Sequence, residues 1–252
     1  MTRALVRRPS PRMARGLITH IERRPPDVDL AMRQWDGYVA ALESVGWQVI
    51  EVPSAPEYPD AVFVEDTMVV WREQAVIANP GADERAGEVV AAEATIANLG
   101  FVISHIAPPA TLDGGDVLKI GDRFYVGVGG RTTRSGAQQL GALLGVEVIA
   151  VPTTKALHLK SAVTALPDGT AIGYPPIVDD PAVFDSFLPV PEEPGSHVVV
   201  IDESTVLMAA SAPASRALLE ARGLRVVVAD ISEFEKLEGC VTCLSVRLRA
   251  GG

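Results

Sequence analysis

Both cysteines of the 252-residue chain, Cys240 and Cys243, fall in the stretch EGCVTCLSVRL near its end. A Cys-x-x-Cys pair can be a redox couple, half of a metal site, or one working thiol with a neighbour. Structural zinc takes four ligands and this pair offers two, while His20, His105 and His197 stand at no ligand spacing, so no metal is expected. A nucleophilic thiol instead needs a base, and an acid that orients the base. The chain offers His158 in LHLKS, Glu65 and Asp66 in FVEDT, and Asp113 in LDGGDV. Taken singly, each has a plainer reading. His158 lies between two leucines as a core histidine would, DGG reads as a turn, FVED as a strand end with solvated acids, and Cys243 as a buried apolar residue.

What could bring them together is a repeat. A helical run closes on Gly and an apolar strand follows in ALESVGWQVIEVP, TIANLGFVISHIAP, GALLGVEVIAVP and LLEARGLRVVVAD. Gly takes the left-handed conformation after a helix, so each instance marks a helix end feeding a buried strand. Interleaved with these are pairs of apolar strands joined by tight polar turns: TMVVWREQAVIA, DVLKIGDRFYVG, AVTALPDGTAIG and HVVVIDESTVLM. Their turns centre near Glu73, Gly121, Asp168 and Glu203, at spacings of 48, 47 and 35 residues. CLSVRL opens a fifth hairpin that the N-terminal RALVRR can complete. Helical segments are expected in MRQWDGYVAALESVG, DERAGEVVAAEATIANLG, TTRSGAQQLGALLG, the short DPAVFDSFL and APASRALLEARG.

Strand, strand, helix, strand, about five times over, gives units that cannot bury their own faces and must stack on one another. A closed ring removes the capping problem. The fold expected is therefore a five-bladed α/β propeller, one α/β domain spanning 1–252. Hairpins between successive helices make the rival, an open doubly wound sheet, awkward.

In equivalent blades, residues leading into the first hairpin strand meet near the axis. Glu65 lies eight residues before its turn, Asp113 eight and His158 ten, and Cys243 stands at the same lead-in. Carboxylates, an imidazole and a thiol are thus delivered to one rim. Arg85 and Arg131 follow outgoing strands and open the next helices, where a cation opposes the helix macrodipole. Forks that receive a carboxylate would account for both.

With 48% hydrophobic residues the chain can bury a full core, and no run approaches the ~18 apolar residues of a membrane span. Two cysteines make no disulfide framework, which points to a reducing cytoplasm. A formal net charge of -10 argues against nucleic acid as partner and suits a small cationic substrate.

Through GLITH, YPDAVFVEDT, ATLDGGDVL, GRTTRSGA, LHLKS and EGCVTCLSV, essentially the whole chain resembles the dimethylarginine dimethylaminohydrolases, guanidino-group-modifying enzymes with the five-bladed propeller, or pentein, fold. The resemblance implies Cys243 as nucleophile, His158 as general acid and base, and Asp113 as the acid orienting it. It assigns Glu65 and Asp66 to the substrate guanidinium, Asp60 to the α-amino group, Arg85 and Arg131 to the α-carboxylate, and Leu17, Phe63 and Leu237 to further substrate contacts. Ser196 and His197 stand where the family pattern has Asn. Methylated arginine would be hydrolysed to citrulline through a covalent thiouronium, with no cofactor, and a homodimer is compatible with this. Cys240 is expected to be a packing neighbour. The competing readings are an arginine deiminase, although its inserted helical segment has no counterpart here, and a non-catalytic propeller that binds a macromolecule.

Overall fold

The computed structural model describes residues 2–249. In chain order the elements are β1 (Arg3–Arg7), α1 (Val28–Ser44), β2 (Gln48–Val52), β3 (Met68–Trp71), β4 (Gln74–Ile77), α2 (Val89–Asn98), β5 (Val102–His105), β6 (Val117–Ile120), β7 (Arg123–Gly129), α3 (Arg134–Leu144) and β8 (Val148–Thr153). They continue with β9 (Val163–Ala165), β10 (Ala171–Gly173), β11 (Phe187–Pro189), β12 (Val198–Val200), β13 (Thr205–Ala209), α4 (Pro213–Ala221), β14 (Arg225–Ala229), the single-turn α5 (Ser232–Glu235) and β15 (Val246–Leu248).

The strands form three-stranded sheets ordered β3-β4-β5, β6-β7-β8, β9-β10-β11, β12-β13-β14 and β15-β1-β2. In each, the first two strands are antiparallel and the third runs parallel to the second. This is the five-bladed α/β propeller. The ring closes as expected, β15 pairing antiparallel with β1 through Arg3↔Leu248, Ala4↔Arg247 and Leu5↔Val246.

Side chains alternate across a strand, and in a ring each face of a blade meets a neighbour. Met68 and Val70 of β3 therefore pack towards Leu5, Val52 and α2, while Val69 between them packs towards Val117 and Phe124 of the next blade. Leu118 and Tyr125 face the third blade in turn. The core is thus divided among the interfaces between blades, which explains why the strands read as continuous apolar runs.

Local signals place the helices. Asp27 caps α1, its carboxylate accepting from Leu30 N at 3.0 Å, and Trp35, Tyr38 and Leu42 line its buried face. Gly145 ends α3 with φ +66°, and Gly46, Gly100 and Gly223 take φ of +83°, +87° and +89° after α1, α2 and α4.

Two expectations need correction. DPAVFDSFL forms no α-helix: Pro181–Val183 is one 3₁₀ turn and Phe187–Pro189 is strand β11. Pro175, Pro176 and Pro181 deprive this stretch of amide donors, and Phe184 packs on Tyr125 instead of completing a helical stripe. The 35-residue spacing was the trace of this missing helix. The second helix also starts later than expected, because Asp83–Glu88 is 3₁₀ and places Arg85 and Glu88 on one side. Among the described residues no helix is long and apolar enough to cross a membrane.

Candidate active site

Short 3₁₀ turns lead into four of the inner strands: Val64–Thr67 before β3, Gly114–Asp116 before β6, Leu159–Ser161 before β9 and Glu193–Ser196 before β12. Before β15 the turn is closed by Cys243 N donating to Cys240 O at 3.1 Å. The first three pack on one another, and Glu65 N donates to Cys243 O at 3.2 Å, joining the fifth to them. The common lead-in position is therefore a real meeting place.

There a cavity of about 20 Å³ is lined by Leu17, Asp60, Phe63, Asp66, Arg85, Arg131, His158, Leu237 and Cys243. Asp113 stands behind His158, its Oδ2 3.0 Å from His158 Nε2. Glu65 alone among the expected residues faces elsewhere: its carboxylate binds Lys160 Nζ at 2.6 Å and pairs with Arg247, lining a second, larger cavity.

His158 is nearly inaccessible and hemmed by acids. Asp66 Oδ1 lies 3.8 Å from its Nδ1. Burial disfavours the imidazolium, but Asp66, then Asp116, then the hydrogen bond with Asp113 outweigh it and raise the pKa to about 9. For Asp66, burial is outweighed by His158 and Arg85, so it is lowered to about 2. Asp116, which the sequence reading passed over, is raised to about 6, chiefly by burial. Its Oδ1 accepts from Leu159 N at 2.9 Å and its Oδ2 from Thr132 Oγ1 at 2.6 Å.

The DGG turn is forced by these neighbours. A Cβ on Gly115 would lie 2.6 Å from both Asp66 Oδ1 and His158 Nδ1, and one on Gly114 would collide with the carbonyl of Glu65. Without that Cβ, Gly115 N donates to Asp66 Oδ1 at 2.9 Å.

The arginines part company. Arg85 is buried and gives Nε and Nη2 to Glu88, Nη2 also to the carbonyls of Asp60 and Phe63, and Nη1 to Asp66 Oδ2 at 2.7 Å. The cation that opposed the helix dipole is thus answered by internal carboxylates. Arg131 lines the cavity with a buried Nη1 that has no partner among the described residues. Asp60 Oδ2 accepts from Leu17 N at 3.0 Å, and burial raises its pKa.

Cys240 is closer than a packing neighbour. Its Sγ lies 3.2 Å from Cys243 Sγ and 3.1 Å from Thr242 Oγ1. The hydrogen bond between the two sulfurs lowers Cys240. The same bond, burial, and then Glu65 and Asp66 hold Cys243 in the thiol form well above the usual range. In the fourth blade Ser196 is buried with its Oγ unpartnered among the described residues, and His197 Nε2 donates to Ser161 O at 2.8 Å.

Leu157, Glu238 and Gly239 complete the lining. Glu238 adopts φ +61°, and its carboxylate accepts from Thr19 N at 2.9 Å and His20 N at 2.5 Å. It latches the loop that carries Leu17 over the cavity. The enclosed volume holds about one water molecule, so an amino-acid-sized ligand enters only when this wall moves.

Residues 54–197 match the family model described as Arginine deiminase. Over 250 residues the chain is 58% identical to the N(G),N(G)-dimethylarginine dimethylaminohydrolase of Streptomyces coelicolor, covering 98% of this chain and 97% of that one. The protein of the same name from Pseudomonas aeruginosa is 32% identical over 229 residues, 88% of this chain and 90% of its own. A solved P. aeruginosa structure, a cysteine-to-serine mutant complexed with citrulline, superposes with a TM-score of 0.90 at 30% identity over 98% of both chains. A likeness that runs through every blade, in sequence and in backbone alike, means that the chain belongs to the dimethylarginine dimethylaminohydrolase family.

Proposed function

We propose that the protein hydrolyses N-omega-methylated arginines to citrulline and methylamine or dimethylamine, the whole propeller acting as one catalytic domain in the cytoplasm. The observation that carries this is one cavity lined by Cys243, by His158 backed by Asp113, and by Asp66, with Asp60 and an Arg131 donor that has no partner among the described residues in the same walls.

A guanidinium carbon is a poor electrophile, since three nitrogens share its charge. Asp66 fixes the planar cation by charge-assisted hydrogen bonds near the Cys243 sulfur. Arg85 braces Asp66 from behind, so the substrate α-carboxylate falls to Arg131 and the α-amino group to Asp60. In the empty site the bond with Cys240, burial and then the nearby carboxylates keep Cys243 protonated. A bound cation reverses that field and favours the thiolate where it is needed.

Thiolate attack forms a carbon–sulfur bond and a tetrahedral adduct. His158, an imidazolium at neutral pH, protonates the departing amine as the carbon–nitrogen bond breaks. A thiouronium remains on sulfur. Neutral His158 then takes a proton from water, whose oxygen adds to the same carbon, and sulfur departs as thiolate with release of citrulline. Asp113 and Asp116 keep the ring oriented and basic through both halves.

The test is citrulline formation by purified protein from arginine, monomethylarginine and asymmetric dimethylarginine, repeated with Cys243→Ser. The methylated substrates should be preferred and the variant inactive. The description of the matching family model favours a second reading, an arginine deiminase. Higher kcat/KM on unsubstituted arginine would establish that reading instead. Methyl contacts are worth ~1 to 3 kcal/mol each, enough to separate the two.

A further inference from the structure

The second cavity has a volume of about 480 Å³ and a charge pattern that the hydrolytic reading does not use. It lies among the inner strands, with apolar walls that include Val69, Leu118 and Val199, and the exposed hairpin turns at Arg72 and Asp122 also line it. Lys119, Lys160, Arg247 and Arg249 line it, and apart from Arg72 and Asp122 in the exposed turns the charged group beside them is the buried carboxylate of Glu65. In a chain of net charge -10, this is a concentrated reversal of sign.

The cations are unevenly satisfied. Lys160 and Arg247 share the single oxygen Glu65 Oε1, and Glu65 Oε2 is buried without a partner among the described residues. Lys119 has a backbone carbonyl, Val70 O at 2.7 Å, and Arg249 has Val200 O at 2.5 Å. Neither pairs with an acid among the described residues. Solvent reaches Lys119 through the cavity although protein surrounds it. That enclosure, then Lys160, Arg247 and Arg249, pushes its ammonium down to about 7. Like charges facing one another across apolar walls repel strongly, because the low dielectric screens them little.

We propose that this cavity is a binding site for a small phosphoryl oxyanion, inorganic phosphate being the simplest, held by Lys119, Lys160, Arg247 and Arg249 on the far side of Glu65 from Cys243. A tetrahedral anion of about two charges presents oxygens in several directions at once, which suits two ammonium groups and two planar forks. A monovalent halide offers neither the charge nor the geometry.

The experiment is isothermal titration calorimetry of the full chain at pH 7 with sodium phosphate, against sodium chloride at equal ionic strength. Saturable one-site binding of phosphate and none of chloride is expected. In the double variant Lys119→Met, Arg249→Met the Kd should weaken at least about tenfold, with citrulline formation in phosphate-free buffer unchanged. Trp71 lines the cavity, so phosphate should also change tryptophan emission, and Trp71→Phe should abolish that change. Three results would overturn the proposal: no saturation up to about 10 mM phosphate, an unchanged Kd in the double variant, or displacement of phosphate by citrulline, which would place the anion at Arg131. If the double variant does not fold, the Trp71 signal of the unsubstituted cavity, compared between phosphate and chloride, still decides the matter. Equal responses to the two salts would count against the site. None of these readouts depends on which guanidine the enzyme hydrolyses.

Discussion

Gly115→Ala tests whether the catalytic geometry is as tightly built as described. The added methyl carbon would stand 2.6 Å from Asp66 Oδ1 and from His158 Nδ1, about 0.8 Å inside ordinary van der Waals contact. Neither neighbour can yield cheaply. His158 is tied to Asp113 at 3.0 Å, and Asp66 is tied to Arg85 at 2.7 Å and to the Gly115 amide at 2.9 Å. Relief must come from moving the imidazole, the carboxylate or the turn, by a sizeable fraction of an ångström. Displacement on that scale costs on the order of 10²-fold in rate, or about 2.7 kcal/mol of transition-state stabilisation. Overpacking a filled interior costs about 1 to 3 kcal/mol of stability as well. Steady-state kinetics on a methylated arginine should show kcat lowered about a hundredfold, with urea denaturation reporting a protein that remains folded. Alkylation of Cys243 in the variant should proceed as in the parent, since the thiol is not displaced. A kcat within about twofold of the parent would refute the packing argument and with it the reading of DGG as a close-approach turn.

The pH profile follows from His158, which must carry its proton to act as the acid. With the pKa raised to about 9, kcat/KM should hold at neutral pH and fall about tenfold per unit above pH 9. Asp116→Asn removes one of the charges that raise it and should move this alkaline limb to lower pH in the same assay. Glu238→Ala deletes the acceptor of Thr19 N and His20 N, so the closed loop loses stability and KM should rise about tenfold, with kcat within about twofold. An unchanged KM would mean that the latch does not govern closure. Gly37 lies exposed within α1, where a Cβ would meet nothing within 4 Å. Gly37→Ala should stabilise the protein by about 0.5 to 1 kcal/mol in chemical denaturation without altering activity.

The parts legible in the sequence were those set by local rules. Alternation and turn chemistry fixed the hairpins, glycine after a helical run fixed the helix ends, and equivalence of the repeats brought Asp113, His158 and Cys243 to one rim, while in the first blade it named Glu65, whose neighbour Asp66 is the one that lines that cavity. What escaped was decided by partners far apart in the chain. Glu65 finds Lys160 and Arg247 at separations of 95 and 182 residues, and no periodicity encodes that choice. The internal counter-charge of Arg85, Glu88, lies on the same short turn and is visible only once that turn is 3₁₀. Asp116 hid inside a motif whose glycines already explained it. Glu238 occupies a left-handed conformation that sequence reasoning reserves for glycine.

Glu65 and Asp66 show how one turn serves two cavities. Adjacent side chains diverge, so Asp66 turns to His158 and Arg85 while Glu65 turns to Lys160 and Arg247. The Glu65 amide meanwhile holds the carbonyl of Cys243. Cys243 belongs to the blade built from both chain ends, where β15 pairs with β1, and Tyr38 of α1 donates to Val241 O at 2.9 Å and meets Ser245 Oγ at 2.8 Å on either side of it. The thiol is thus placed by the first forty residues and the last ten together, while its imidazole partner is placed by the middle of the chain. Sulfur and imidazole come together only when the ring is shut, so the chemistry depends on closure and not on any single blade.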